Sequence, residues 1–279
     1  MLRLVKRVVD GLLDWTLSPD AQFRLGMHIA NRARGDDDYD PNSNGEYWAL
    51  GRIKRSLSGA AVLIDAGAHV GEWTLQAVDG LPEGSDIYSV EPSAATFARL
   101  KETVERRRSS ARIHPVQAAL SDQDGEGILH VDGELHGTNS LHEHSLADYS
   151  GDGPSRAAKQ ETVSLLRGDA FCALRGIKRV HLLKIDTEGH EVEVLRGFEE
   201  MLSRKAIDYV QFEYFHGWID AGHFLREAVT PLIDKGYIVG KLARERLIFM
   251  DGYDKTYEKF GFSNFLAIRD AGMAASWRS

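Results

Sequence analysis

Val62-Leu63-Ile64-Asp65-Ala66-Gly67-Ala68-His69-Val70-Gly71 is a short apolar strand pattern that ends in an acid and two spaced glycines, just before an amphipathic stretch begins. Strand, glycine turn and helix in that order make a nucleotide-type cofactor cradle. Gly67 supplies a backbone shape that a side chain would forbid, and Gly71 lets the turn lie close to a ligand or to the strand. Asp65 decides which cofactor is expected. A dinucleotide loop carries glycine there, so that a pyrophosphate reaches bare amides at a helix N-terminus. A carboxylate repels phosphate and suits a ligand with a cationic end. S-adenosylmethionine has an ammonium, a sulfonium and an adenosine, but no phosphate. The cradle from Asp65 through Ala66, Gly67 and His69 to Gly71 is therefore the expected cofactor site.

Outward from the cradle, apolar strands alternate with helical patterns. Strands are expected at 62–66, 86–90, 112–118, 180–185 and 207–213, with two closing strands at 237–240 and 264–268. Helices are expected at 72–78, 94–107 and 191–203 between them. This alternation implies a parallel sheet covered on both faces, with ligands at the carboxyl ends of the strands. Upstream, Leu2, Val5, Val8, Val9, Leu12 and Leu13 recur at helical spacing, and Ala21 to Arg34 suits a second helix. One domain is expected at this length, a core over 59–279 with an N-terminal helical cap over 1–58. Asp36, Asp37, Asp38 and Asp40 read as a solvated turn. The glycine-, histidine- and acid-rich stretch of about 121–160 reads as a lid, with a strand pair around Gly127 to Val131.

Composition narrows the function. Thirty-four Lys and Arg against 42 Asp and Glu give a net charge of -8, which disfavours nucleic acid as a partner. Cys172 is the single cysteine, so no intrachain disulfide forms, and a cytoplasmic setting is expected. No apolar run approaches the roughly 20 residues that span a bilayer. Homo-oligomerisation is left open.

Glu91, followed by Pro92, closes the second strand, where a carboxylate accepts both ribose hydroxyl protons. Thr74 lies in the first turn after the glycines, placed to hold the methionine carboxylate near a helix N-terminus. Further on, Leu183-Lys184-Ile185-Asp186-Thr187-Glu188-Gly189-His190-Glu191 delivers Asp186 to the sheet edge, and Val194-Leu195-Arg196-Gly197 follows. With Asp65-Ala-Gly-Ala-His-Val-Gly71, these motifs resemble the FkbM-type family of S-adenosylmethionine-dependent methyltransferases. Lesser matches are Asn44-Gly45-Glu46, Glu91-Pro92, Ala119-Leu-Ser-Asp122 and Ser140-Leu141. His69 and Gly168-Asp169 depart from the family's usual asparagine and Leu-Asp.

The resemblance implies a class I methyltransferase fold: α/β, Rossmann-like, a seven-stranded mostly parallel sheet with helices on both faces. It implies methyl transfer to an oxygen of a sugar, glycan or small natural product. It puts Asp65, Gly67, Gly71 and Glu91 around the cofactor, Ala118 and Ala119 near the adenine, and Asp186 between the methionine end and the acceptor.

Transfer from a sulfonium is an in-line displacement with an activated leaving group, so alignment and a dry pocket supply much of the acceleration. A hydroxyl acceptor also loses its proton to a base. Asp186 with His190 or His216 is the expected catalytic group, and His69 is a third contender. Glu188, Glu213, His142 and Trp218 are expected on the acceptor side, where Trp73, Tyr214 and Phe215 are further aromatic candidates. Lys184 reads as a structural charge. Asp186, Glu188, Glu213, His216, His136, His142 and His144 form no compact ligand signature, and no metal is assigned. Asp65 argues against a nicotinamide enzyme. Asp186-Thr-Glu-Gly departs from the Asn/Asp-Pro-Pro-aromatic run of enzymes that methylate base amino groups. A noncatalytic S-adenosylmethionine-binding protein and a non-hydroxyl acceptor stay open.

Overall fold

The computed structural model describes residues 15–131, 139–143 and 159–278. The expected helix at Met1 to Leu13, and His136 and His144 of the lid, lie outside the described residues. Helix α1 (Pro19–Arg34) starts where the Ser18 hydroxyl accepts the Ala21 N–H, and it stops at Gly35 in the left-handed conformation. It buries none of its own residues. The chain after it is pinned: Asp36 pairs with the buried Lys241 ammonium and accepts from the Ser263 hydroxyl, while Asp37 accepts the Phe262 N–H. Asp36, its side chain buried, is thus an anchor to the sheet, not part of a solvated turn, and Asp37, although exposed, ties the turn to the start of the strand Ser263–Ile268.

Helix α2 (Glu46–Ser56) buries Ala49, Leu50 and Ile53. These three share one apolar cluster with Leu63, Ile87 and Leu182, so α2 forms part of the layer covering the sheet. The chain continues through β1 (Val62–Ala66), α3 (Glu72–Val78), β2 (Asp86–Val90), α4 (Ala94–Glu105), β3 (Arg112–Val116), β4 (Ala119–Ser121), β5 (Gly125–Val131), β6 (Lys159–Arg167), α5 (Gly168–Leu174) and β7 (Val180–Ile185). It ends with α6 (Glu191–Gly197), α7 (Glu199–Ser203), β8 (Ile207–Tyr214), α8 (Gly217–Asp220), α9 (Leu225–Asp234), β9 (Ile238–Ala243), β10 (Arg246–Phe249), β11 (Ser263–Ile268) and α10 (Ala271–Ala275).

The main sheet runs β10-β9-β11-β8-β7-β1-β2-β3. Strands β3, β2, β1, β7 and β8 are parallel neighbours, and β11 lies antiparallel between β8 and β9. This is the class I methyltransferase arrangement, with one strand more than the seven expected. The extra strand is β10, which folds back on β9 through Arg244-Glu245, with Arg244 left-handed at φ 53. Among the described residues, no helix is long and apolar enough to cross a membrane.

Two further features differ from the sequence expectation. The stretch read as a lid is bounded at both ends by strands of a second sheet in the order β4-β6-β5. The single helix expected at 191–203 is two short ones, α6 and α7. They meet at Gly197, where a Cβ would stand 1.9 Å from the Ser121 carbonyl oxygen. Only glycine permits β4 to approach α6 so closely.

The apolar core has two sides. Ile64 and Ala66 of β1 belong to one cluster with Leu183, Ile185, Val210 and Phe212. Leu63 belongs to the other, with Trp73 and Ala77 of α3. The period-two alternation of a strand then assigns Asp65 to the α3 face, and that orientation governs the site.

Candidate active site

At the carboxyl ends of β1, β2, β7 and β8 lies a cavity of about 460 Å³, a size suited to a small-molecule cofactor and acceptor. Gly67, His69, Glu91, Pro92, Ala118 and Ala119 line one part, and Asp186, Glu188, His190, Glu213 and His216 line another. The fold thus gathers eleven of the expected site residues around one space. Asp65, Ala66, Gly71, Thr74, His142 and Trp218 are not among the lining residues.

Asp65 is fully buried on the α3 side. Its Oδ2 accepts from the Thr74 hydroxyl at 2.7 Å, and Lys184 Nζ lies 3.9 Å from its Oδ1. Burial pushes its carboxyl up, against the pull of Lys184. Asp65 therefore does not form the rim of the cradle. Thr74, itself buried, shares its hydroxyl between Asp65 and Ser89, so it braces the cradle from beneath. Gly71 faces α4, where a Cβ would come 2.8 Å from Leu100. Trp218 is fully buried against Phe212 and Tyr214, a core position and not an acceptor contact.

Gly67 holds the two halves of the site in register. Its φ is 80, and a Cβ there would stand 1.7 Å from the Asp186 carbonyl oxygen. The Asp186 N–H in turn donates to the Ala66 carbonyl at 3.0 Å. The cradle and the end of β7 are packed backbone to backbone.

Glu91 lines the cavity just after β2, across β1 from β7. Its two oxygens each accept one backbone N–H, from His69 and from Ser93, both at 3.0 Å. Each oxygen keeps further acceptor capacity, which fits the paired hydroxyls of a ribose. Burial pushes its carboxyl up to about 7. His69 makes its contact in a left-handed conformation, φ 48, which is costly for a residue other than glycine, asparagine or aspartate.

The acidic wall is organised by Lys184, which is nearly fully buried. Its Nζ lies 2.8 Å from Asp186 Oδ2 and 3.9 Å from both Asp65 Oδ1 and Glu46 Oε1. Burial alone pushes the ammonium down, but Asp186, Glu46 and Asp65 together hold it well above its ordinary range. Glu46, brought in by α2, is raised to about 7 by burial. Asp186 stays low despite burial, because Lys184 and a hydrogen bond from Glu213 favour its charge. Glu213 is raised well above its ordinary value by burial and then by Asp186 and Glu188. Asp186 is therefore favoured in its charged form and Glu213 in its neutral form, with a hydrogen bond between them. Glu188 is likewise raised by burial and by Asp186, at a left-handed φ of 54. Glu191 shapes this turn from below, accepting the Thr187 and Gly189 N–H groups at 2.7 and 3.0 Å.

His190 is poorly placed as a base. Its Nε2 lies 3.0 Å from Ser121 Oγ and its Nδ1 lies 3.1 Å from His142 Nε2. Burial pushes it down to about 4. His142 sits behind the cavity wall, which the same segment lines through Asn139 and Leu141. The sequence assigns no metal, yet the structure brings His142, His190 and Glu193 within 4.8 Å of one another. In the sequence Glu46 appears only within a lesser family match and Glu193 is not singled out, because Lys184 and His142, which they meet here, come from distant segments.

The chain matches the model of the Methyltransferase FkbM domain over residues 65–239. It is 29% identical over 147 residues to Methyltransferase 1 of Beauveria bassiana, covering 50% of this chain and 58% of that protein. It is 24% identical over 136 residues to the hexuronic acid methyltransferase AglP of Haloferax volcanii, covering 49% of each. The chain thus spans about half the length of the curated relatives it matches. A crystal structure of a methyltransferase FkbM from Methylobacillus flagellatus superposes with a TM-score of 0.46 at 13% identity, covering 79% of this chain and 47% of that one.

Proposed function

The chain belongs to the FkbM methyltransferase family, and from that premise we propose that it transfers a methyl group from S-adenosylmethionine to a hydroxyl of a neutral sugar or a small polyhydroxylated metabolite. The observation that carries this reading is one cavity lined both by Glu91, just after β2, and by Asp186, just after β7, whose carboxyl Lys184 holds low. The residues present fit the cofactor. Glu91 would accept from the ribose hydroxyls, Ala118 and Ala119 offer an apolar flank to the adenine, and the acidic wall suits an ammonium and a sulfonium. Phosphate finds no such match, since the one buried lysine of the wall is already shared among three carboxylates.

When bound, S-adenosylmethionine supplies a methyl group on a sulfonium, an activated leaving group. Asp186 orients that cationic end. His216, which lines the same cavity, would take the proton of the acceptor hydroxyl to which the cofactor would supply its methyl group. Glu188 and Glu213 hold neighbouring hydroxyls of the acceptor. The wall offers an anionic acceptor no unshared cation, since Lys184 is already held by three carboxylates, so a neutral polyol is preferred here, unlike the hexuronic acid for which the Haloferax relative is named.

The experiment is incubation with methyl-labelled S-adenosylmethionine and a panel of neutral sugars, uronic acids and natural-product alcohols, read by mass spectrometry. His216→Ala is expected to lower turnover by about 10²–10⁴-fold with cofactor affinity retained. Undiminished turnover would remove His216 from the site. Cofactor binding with no methylated product across the panel would favour a binding protein over an enzyme.

A further inference from the structure

Behind the acceptor side of the cavity, His142, His190 and Glu193 converge from two segments. His190 Nδ1 lies 3.1 Å from His142 Nε2 and 3.5 Å from Glu193 Oε2. Zinc binds imidazole nitrogen at roughly 2.0–2.1 Å and carboxylate oxygen at about 2.0–2.2 Å, so ligand atoms at the corners of a tetrahedron stand about 3.3 Å apart. The two observed separations bracket that edge.

The protons also point to a missing cation. The Ser121 hydroxyl donates to Asp122 Oδ1 at 3.3 Å, which leaves its oxygen free to accept an N–H from His190 Nε2 at 3.0 Å. In that tautomer, the His190 Nδ1 lone pair faces both His142 and Glu193. A proton from His142 Nε2 satisfies the lone pair but leaves Glu193 Oε2 facing it across 3.5 Å. That oxygen is buried and has no hydrogen-bond partner. Buried polar atoms without a partner are uncommon and call for an unlocated ion or water.

Two of the three ligands, His190 and Glu193, are held from outside, as metal ligands commonly are. Ser121 fixes the His190 ring. His223 Nε2, 2.6 Å from Glu193 Oε1, orients the carboxylate, and Glu227 Oε2 lies 3.2 Å from His223 Nδ1.

We propose that His142, His190 and Glu193 bind a borderline divalent transition ion, zinc in the first place, which staples the segment carrying His142 to the start of α6. Two imidazoles and one carboxylate select such an ion over magnesium or calcium, which favour all-oxygen sites. Three protein ligands leave a fourth position for water. The site is independent of the methyl-transfer reading, since none of its three ligands has a role in that chemistry as proposed above.

The test uses the full chain, stripped with a chelator and titrated with Zn²⁺ by calorimetry and with Co²⁺ by visible absorption. One ion per chain and the intense bands of tetrahedral Co²⁺ are expected. His142→Ala and Glu193→Gln are expected to abolish this binding, and Ser121→Ala to weaken it by about 10–100-fold. His28→Ala, at an exposed position of α1, is the control that keeps it. Circular dichroism of the stripped variants guards against loss of fold, and His142→Ala, which removes only a partly exposed side chain, is decisive if Glu193→Gln unfolds. Absence of stoichiometric binding by the wild-type chain would overturn the proposal. So would Zn²⁺ binding that survives His142→Ala unchanged.

Discussion

Replacing Lys184 with Met keeps the length and bulk of the side chain and removes its charge. The strand register explains what then fails. Lys184 stands beside Asp65 of β1 and Gln211 of β8, forming a polar row across the sheet on the side that α2 and α3 cover. At an effective dielectric constant of about 20, the 2.8 Å contact with Asp186 corresponds to roughly 6 kcal/mol of gross attraction. The 3.9 Å contacts with Asp65 and Glu46 correspond to about 4 kcal/mol each. Most of this offsets the lost hydration of the buried ions. Removing one partner leaves the others uncompensated, and such losses are typically about 3–5 kcal/mol. Lys184→Met should therefore lower unfolding stability by about that amount at pH 8.

The sign of the pH dependence follows from the same groups. Without the ammonium, the folded-state carboxyls of Asp65 and Glu46 rise further above their unfolded values, and Asp186 loses the charge that holds its carboxyl down. A carboxyl raised by folding stabilises the protein fully below its unfolded pKa, and that contribution disappears as pH rises through the folded pKa. The gap between variant and wild type should be small near pH 5 and widen toward pH 8. Urea unfolding followed by circular dichroism measures both, with an unchanged denaturant slope as the check on comparability. Adding Glu46→Gln to the variant should recover part of the loss. An unshifted midpoint at pH 8, or a gap that narrows as pH rises, would refute the assignment of Lys184 as the shared counter-charge.

Three further outcomes are expected. Glu91→Gln removes charge-assisted acceptors worth about 1.5–3 kcal/mol, so S-adenosylmethionine should bind about 10–100-fold more weakly by calorimetry. Since burial holds Glu91 at about 7, wild-type affinity should also fall as pH drops below that value, and a flat profile from pH 8 to 5.5 would contradict the role. Gly67→Ala places a methyl group 1.7 Å from the Asp186 carbonyl oxygen, and a shift of about 1 Å at a reacting centre can cost on the order of 10²-fold in turnover. Wild-type turnover in that variant would mean that the cradle and Asp186 are not rigidly coupled. Trp218→Ala should destabilise the fold by about 3–5 kcal/mol, with the acceptor KM of the folded enzyme unchanged. A raised KM without loss of stability would restore Trp218 to the acceptor site.

The parallel core was legible because its strands are continuous apolar runs, and the expected strand at 86–90 and the one at 180–185 coincide with β2 and β7. Strand β10 was not, since its two-residue turn is Arg244-Glu245 and carries no glycine or asparagine to mark a hairpin. Strand β4 has three residues and β6 is mostly polar, so neither rises above the loop-like composition around it. In the site, the expected residues at strand ends line the cavity, and Asp65, Thr74 and Trp218 lie buried outside its lining. Asp65 was read as a rim because it precedes the glycines. The alternation of β1 turns it toward α3, and the acidic character of the cavity comes instead from Asp186, Glu188 and Glu213. Glu46 and the grouping of His142 with Glu193 depend on long-range packing, which leaves no local pattern.

The account's central claim is that this acid-walled cavity takes S-adenosylmethionine. Parallel calorimetric titrations of the full chain with S-adenosylmethionine and with NAD⁺ test it most directly. One equivalent of S-adenosylmethionine should bind, Glu91→Gln should weaken it, and NAD⁺ should give no saturable heat. Saturable NAD⁺ binding by the folded chain, with S-adenosylmethionine giving none, would contradict the claim.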